Sequence, residues 1–235
     1  MRGRRRALLG LVAICGLSAG VARAQEAVFD VTLAGVRVAE MTVEGRTTDD
    51  RYAVDVMIRS NGLVGMIRHM RFESRSEGRI ARDGERFVPD RYTEQADTGR
   101  RQSQVEMVYA EGVPQTVVYS SPRPDGPDLV DPATQGGTLD PATALFAGLR
   151  DRPAGQGCKA GFAVFDGRRR SAYSLSGDGL TCTGEYRRIA GYTPEEMAER
   201  SSFPLQVVYA AEGDAMRVVE ARVQTIYGKV RLKRR

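Results

Sequence analysis

The sequence predicts an all-β protein: a single curled antiparallel sheet, or half-barrel, of about ten strands with one or two short helices. Two observations predict this fold class. Short segments in which apolar and polar residues alternate recur along the chain, separated by Gly, Asp and Asn. This period of two places one face of each strand on a core and the other in water. Only two short segments have helix signals, which is too few for an α/β fold.

The first element is an N-terminal signal helix, because residues 1–24 have the three parts of a secretory signal. Four arginines within the first six residues form a positive region, and an apolar run from Ala7 to Leu17 follows. Small residues end the segment and predict cleavage between Ala24 and Gln25. The run is short for a membrane anchor, the alternative interpretation. We therefore expect an exported, periplasmic protein with one β-rich domain over 25–235 that does not span a membrane.

Removal of this segment changes the charge balance. The full chain has 35 basic and 30 acidic residues. The signal contains five arginines and no acid, so the mature chain is formally neutral. The basic excess of the full chain belongs to the signal segment and therefore gives no support to nucleic-acid binding by the mature protein. A basic cluster remains at 229–235, which we interpret as a frayed, solvated terminus; the alternative is contact with anionic lipid or an acidic partner.

The first half of the mature chain contains the clearest strands. Residues 28–33 and 36–44 alternate on either side of Gly35, which predicts a tight hairpin turn. Tyr52, Val54, Val56 and Ile58 form one apolar face, and a charge-rich strand is predicted over 66–76. Further strands follow at similar spacing to about residue 120. The proline-rich segment 121–137 then predicts a surface loop.

A short helix is predicted after this loop. Asp140 and Pro141 are favoured at the N-cap and first helical positions. An apolar stripe at helical spacing follows, formed by Ala142, Leu145, Phe146 and Leu149. We expect this helix to plug one side of the curved sheet.

The last third returns to β-structure and contains a predicted disulfide. Asp166-Gly167 predicts a turn between strands 162–165 and 168–175. Cys158 and Cys182 flank this hairpin, and two cysteines in an oxidising compartment predict a disulfide. The next segment, Thr193 to Glu196, has capping-box spacing for a second short helix. Strands over 181–189, 205–210 and 216–227 complete the set.

Five ordered segments together resemble a known family. They are the Gly35 hairpin, Ser60-Asn61-Gly62-Leu63, Pro89-Asp90-Arg91-Tyr92, Asp140-Pro141-Ala142-Thr143-Ala144-Leu145 and Val164-Phe165-Asp166-Gly167-Arg168-Arg169. Their order resembles exported bacterial proteins grouped as domain of unknown function 3108. The resemblance implies a periplasmic β-rich protein similar to the half-barrels that ferry lipoproteins. It implies no catalytic residues.

The sequence contains no recognisable catalytic, metal-binding or cofactor-binding motif. His69 is the single histidine, and it lies in a positively charged segment without a GxSxG motif. Asp125, Asp128, Asp131 and Asp140 surround the proline-rich loop, but turn and cap roles explain them better than calcium does. We predict no catalytic residue, metal or cofactor. The alternative is a polysaccharide hydrolase using a carboxylate pair such as Asp55, Glu73 or Glu106.

Two segments are candidates for binding. Arg168, Arg170 and Arg187 could form an anion-binding surface. Leu63, Val64 and Met66 belong to an apolar segment that could form the lip of a hydrophobic groove; a buried turn is the alternative. We expect a non-catalytic protein that binds a hydrophobic ligand, lipid or envelope protein. A third hypothesis is an assembly factor that uses the basic C-terminus as its contact.

Overall fold

The strands follow one another along the chain as antiparallel hairpins. The computed structural model describes residues 23–61, 69–81, 86–120 and 130–235. The strands in these ranges are β1 (Arg23–Leu33), β2 (Val36–Thr47), β3 (Arg51–Ser60), β4 (Arg71–Ile80), β5 (Phe87–Asp97), β6 (Gln102–Ala110), β7 (Val113–Tyr119), β8 (Arg152–Pro153), β9 (Ala160–Phe165), β10 (Arg170–Ser176), β11 (Thr181–Ala190), β12 (Ser202–Glu212), β13 (Ala215–Thr225) and β14 (Gly228–Arg234). Two α-helices, α1 (Pro141–Leu149) and α2 (Pro194–Glu199), and a 3₁₀ helix (Pro132–Thr134) accompany them.

All described strands belong to one antiparallel sheet that is not closed. Its order is β7-β6-β5-β4-β3-β2-β1-β14-β13-β12-β11-β10-β9, and β8 pairs with β13 beside this path. The first and last strands are neighbours in its middle, where Phe29 lies opposite Arg234. The backbone at Leu139 exchanges hydrogen bonds with the backbone of Ala163 and Phe165 along the outer edge of β9. The prediction of an all-β fold with a single antiparallel sheet is confirmed.

The predicted number of about ten strands is too low, since the described ranges contain fourteen. The hairpin between β13 and β14 was hidden because Ile226 and Tyr227 stand at its turn in place of the usual Asn-Gly or Asp-Gly. The two-residue strand β8 has no sequence pattern of its own. Its assignment depends on pairing with Ala215 and Met216.

The prediction that 229–235 form a frayed tail is wrong. Residues through Arg234 form β14, which pairs with both β1 and β13. Val230 and Leu232 alternate with basic residues along it, and both line the interior. The basic side chains are largely neutralised in the fold: Arg231 pairs with Glu220, Arg234 with Asp151, and Arg235 with Asp30 and Glu40.

The turn predictions at two hairpins are confirmed. Ala34 and Gly35 both have positive φ, 48° and 87°, between β1 and β2. Gly35 therefore has a backbone conformation that residues with a side chain rarely adopt. At the second hairpin Gly167 has φ 94°. The Asp166 carboxylate accepts hydrogen bonds from the backbone N–H groups of Arg168 and Arg169, at 2.9 and 2.8 Å.

Both predicted helices and the disulfide are present. In α2 the Thr193 hydroxyl accepts from the backbone N–H of Glu196, and the Glu196 carboxylate accepts from that of Thr193. Cys158 and Cys182 form a disulfide with their Cα atoms 5.2 Å apart. This bond joins the segment before β9 to β11 and therefore fixes one end of the β9–β11 meander.

Some predictions fall outside the described residues. These are the signal segment over 1–22, the groove lip at Leu63, Val64 and Met66, and the aspartates at 125 and 128. Ala24 and Gln25, the predicted cleavage pair, lie in β1 opposite Arg46 and Gly45. In the part of the chain that the structure describes, neither helix has the length and hydrophobicity to cross a lipid bilayer.

Candidate functional site

The candidate site is an apolar groove between α1 and the inner face of the C-terminal half of the sheet. We call it the groove; its volume is about 610 Å³. Side chains from α1 form one wall and side chains from β9 to β14 form the other. Its apolar and aromatic lining residues are Pro141, Ala144, Leu145, Leu149, Phe162, Val164, Tyr173, Tyr186, Tyr192, Phe203, Leu205, Val207, Ala221, Val223, Val230 and Leu232.

Helix α1 separates the groove from the main core. One side of the helix is buried against β2 to β5: the Phe146 ring lies 5.7 Å from that of Phe87, centroid to centroid. Gly45 makes room for this ring, since a Cβ at that position would lie 2.0 Å from Phe146. Ala144 and Leu145, which are only half-buried, border the groove. The predicted plug is therefore present, and its second face forms a wall.

A buried polar network holds α1 in place. The Asp140 carboxylate caps the helix by accepting from the backbone N–H of Thr143 at 2.9 Å. It also accepts from the hydroxyls of Ser76 and Thr143, each at 2.7 Å. Tyr52 completes the network, with its phenol oxygen 3.0 Å from the Thr143 hydroxyl. Burial raises the pKa of the Asp140 carboxyl, although these hydrogen bonds oppose the shift.

Aromatic side chains form much of the opposite wall. The rings of Phe162 and Tyr173, on neighbouring strands, are stacked with centroids 4.7 Å apart. Tyr186 and Phe203 form a second pair at 5.9 Å. Burial raises the pKa of the Tyr173 phenol. This tyrosine is therefore neutral at physiological pH, and the wall is a largely uncharged surface.

Two arginines lie at the end of the groove beside α2. Arg169 and Arg188 both line the groove, and both stack on the ring of Tyr192. The Tyr192 and Tyr186 phenol oxygens are 3.0 Å apart. We call Arg169, Arg188, Tyr186 and Tyr192 the arginine–tyrosine rim. Burial and the hydrogen bond with Tyr186 raise the pKa of Tyr192, so this phenol stays neutral. The arginines give the rim its positive charge.

The three arginines predicted to bind anions each contact a different part of the molecule. Arg168 lies over the ring of Tyr119 and Arg170 donates to the Gln135 side chain. Arg187 pairs with Glu185. An anion site at these residues stays a prediction. Three other arginines line the groove: Arg222, which pairs with Glu220, and Arg169 and Arg188. The last two are direct sequence neighbours of the predicted arginines, and Arg188 has the strand parity of the aromatic residue Tyr186. This shared parity is the sequence signal that could have placed Arg188 on the same face as Tyr186.

The acids named for a hydrolase lie away from the groove. Asp55 and Glu73 border a polar depression of about 520 Å³ on the N-terminal half of the sheet. Asp55 pairs with Arg46 and Arg75, and Glu73 pairs with Arg71. Glu106 does not border this depression and pairs with Arg91. These contacts make all three acids partners in surface ion pairs.

The other described residues considered in the sequence as catalytic or metal-binding candidates are two helix caps and one exposed histidine. Asp131 caps the 3₁₀ helix, as Asp140 caps α1. His69 is exposed and lies before β4. Within the described ranges no group of three or more potential metal-ligating side chains is found.

Comparison with known proteins identifies the family of this chain. The family model described as "Protein of unknown function (DUF3108)" matches residues 28–180, which confirms the resemblance seen in the motifs. A crystal structure of a beta-barrel-like protein of domain of unknown function DUF1849 from Brucella abortus is similar, at 12% identity and a TM-score of 0.49. The similarity covers 89% of this chain and 95% of that chain. Comparison with curated proteins gives no match.

Proposed function

Because the chain belongs to the DUF3108 family of proteins of unknown function, we propose a function from its geometry: an exported, non-catalytic protein that binds the apolar chain of a lipid in its groove. The observation that carries the proposal is the groove, whose two walls are apolar and aromatic over about 610 Å³. Ligand pockets in proteins commonly have this volume and this lining, with a few polar groups that fix the orientation of the ligand.

The position of the groove supports this proposal. It lies on the second face of a helix whose first face is already packed into a core, so α1 is held firmly without a ligand. Asp140, Ser76 and Thr143 fix that helix through buried hydrogen bonds. A wall held by such a network is preorganised, which lowers the entropic cost of binding.

Export is the second part of the proposal. It is supported by the signal-like segment over 1–24 and by the disulfide between Cys158 and Cys182. Disulfides persist in oxidising compartments such as the periplasm. Fractionation of the native host, with mass measurement of the recovered protein, tests this part: we expect a periplasmic chain that starts at Gln25. A cytoplasmic chain of full length would contradict it.

Native mass spectrometry tests the binding proposal. We expect protein purified from its own periplasm to carry a lipid-sized adduct, which acyl-chain ligands displace. Leu145→Trp should lower adduct occupancy because the larger side chain fills the groove. Leu180→Trp is the matched control, since Leu180 is 45% exposed and does not line the groove. Wild-type protein that carries no adduct and takes up no acyl chain would refute the proposal.

A further inference from the structure

The arginine–tyrosine rim places a positive charge beside an apolar groove. The guanidinium carbon of Arg188 lies 5.1 Å from the centre of the Phe203 ring and 5.2 Å from that of Tyr192. Both rings line the groove. Stacking on two rings fixes the plane of the guanidinium and shields part of it from water.

The carboxylates nearest the rim are engaged by other groups. Glu196 accepts from Arg169 through both of its oxygens, at 3.0 and 3.3 Å. Asp166 also lines the groove, and one of its oxygens accepts from the backbone N–H groups of Arg168 and Arg169 in the hairpin turn. The charge of Arg169 is therefore already balanced by Glu196.

Arg188 differs from Arg169 because it has no acidic partner in the described ranges. Its Nη1 donates to the backbone carbonyls of Glu196 and Arg200. These neutral acceptors orient the guanidinium and leave its charge uncompensated. The side chain is half-buried, and a charge at such a position attracts an anion more strongly than one in bulk water does.

We infer that the groove takes an anionic amphiphile, with its carboxylate or phosphate group at Arg188 and its alkyl chain along the wall of Phe162, Tyr173 and Leu205. This inference rests on the proposed function, which it narrows to one class of ligand. Arginine suits the task because its planar fork donates to two oxygens of a carboxylate or phosphate at once. The rim and the wall together match both ends of such a ligand.

Calorimetric titration of the mature protein with three single-chain probes tests the inference. Dodecanoate, dodecyl phosphate and dodecanol have the same alkyl chain and differ in the head group. We expect both anions to bind at least about tenfold more tightly than dodecanol, since hydrogen bonds to a charged group are the stronger kind. A preference for dodecanoate would indicate a free fatty acid, and one for dodecyl phosphate would indicate a phospholipid head group.

Variants at two adjacent arginines provide the matched comparison. Arg188→Gln should lower the binding affinity for the two anions about tenfold and leave the affinity for dodecanol unchanged. Arg188→Lys, which keeps the charge, should retain part of the preference even if the contacts to α2 loosen. Arg187→Gln is the control, because Arg187 pairs with Glu185 and does not line the groove.

The outcomes separate this inference from the proposed function. The inferred preference for anions is wrong if dodecanol binds as tightly as the anions, or if Arg188→Gln lowers the affinity for all three probes equally. In either case the groove remains a binding site. If none of the probes binds to the wild-type protein, both the inference and the proposed function are overturned.

Discussion

The Asp140 carboxylate accepts a hydrogen bond from the Ser76 hydroxyl at 2.7 Å, and this contact ties helix α1 to strand β4 across 64 positions of the chain. Asp140 and Ser76 are both completely buried. Because the same carboxylate caps α1, the wall of the groove and the sheet depend on one side chain.

Replacing this carboxylate should destabilise the protein. We expect Asp140→Ala to lower the free energy of unfolding by about 2 kcal/mol, because the helix loses its cap and buried hydroxyls lose their acceptor. Urea unfolding followed by circular dichroism measures the change. Asp131→Ala, which removes the cap of the exposed 3₁₀ helix, should have a smaller effect. Equal losses in the two variants would show that the buried network adds nothing.

The raised pKa of Asp140 predicts a pH dependence of stability. Burial raises its pKa above the ordinary value of about 3.9. The folded protein therefore binds more protons here than the unfolded chain does. The stabilising contribution is complete below the unfolded pKa and is lost as the pH rises through the folded pKa.

The uncharged variant Asp140→Asn isolates this effect. It keeps an oxygen to cap α1 and removes the titrating group. As the pH rises from the ordinary carboxyl pKa through the raised pKa of the folded state, the stability of the variant relative to wild type should increase. Urea unfolding at each pH measures both proteins. A constant difference across the series would contradict the assignment.

The close contact between Gly45 and Phe146 predicts a strong effect of a small substitution. A Cβ at position 45 would lie 2.0 Å from the ring of Phe146, which is buried. We expect Gly45→Ala to destabilise the protein by about 1–3 kcal/mol through overpacking. The control is Gly161→Ala, also in a strand, where the nearest atom to the added Cβ is the backbone oxygen of Tyr173 at 3.9 Å. Thermal unfolding of both variants measures the difference, and equal midpoints would disprove the predicted clash.

The disulfide should contribute to stability by a predictable amount. It closes a sequence separation of 24 residues, for which the chain-entropy model gives about 3 kcal/mol. Replacing both cysteines by serine should lower the unfolding free energy by about this amount. Reductant should destabilise the wild type and leave the double variant unchanged. A wild-type chain whose stability is insensitive to reductant would argue against a bond between these residues.

The C-terminal strand gives a further stability test. The Arg234 side chain is 8% exposed and pairs with Asp151 at 2.6 Å. Arg234→Ala should cost about 3 kcal/mol, because it leaves a partly buried carboxylate with a weaker partner. Lys233→Ala, at an exposed neighbouring position, should change stability little. Similar losses at both positions would mean that the ion pair does not matter.

The sequence predicted those elements whose signals are local. The caps at Asp140 and Thr193, the turns at Gly35 and Gly167 and the cysteine pair each depend on a few adjacent residues, and all are confirmed. Strand β14 was missed because its turn has Ile226 and Tyr227, and because its basic residues resemble a solvated tail. Their acidic partners, such as Asp151 and Glu220, are distant in sequence.

The candidate site was harder to predict than the fold. The apolar residues of α1 indicated a plug but not that both sides of the helix are used. The groove needs β9 to β14 to curve over the second side, and that depends on the register of the whole sheet. Arg188 stacks on Tyr192 and Phe203 and donates to backbone carbonyls at the end of α2. These groups are separated in sequence and come together only in the fold.

The measurement that tests the groove most directly uses a single tryptophan, since the chain contains none. Tyr173→Trp places the indole on the groove wall, and Leu180→Trp places it at an exposed position outside. Titration with a brominated fatty acid, which quenches tryptophan on contact, should quench the first variant saturably and the second only weakly. Equal quenching of the two variants, or none in the first, would contradict ligand binding in the groove.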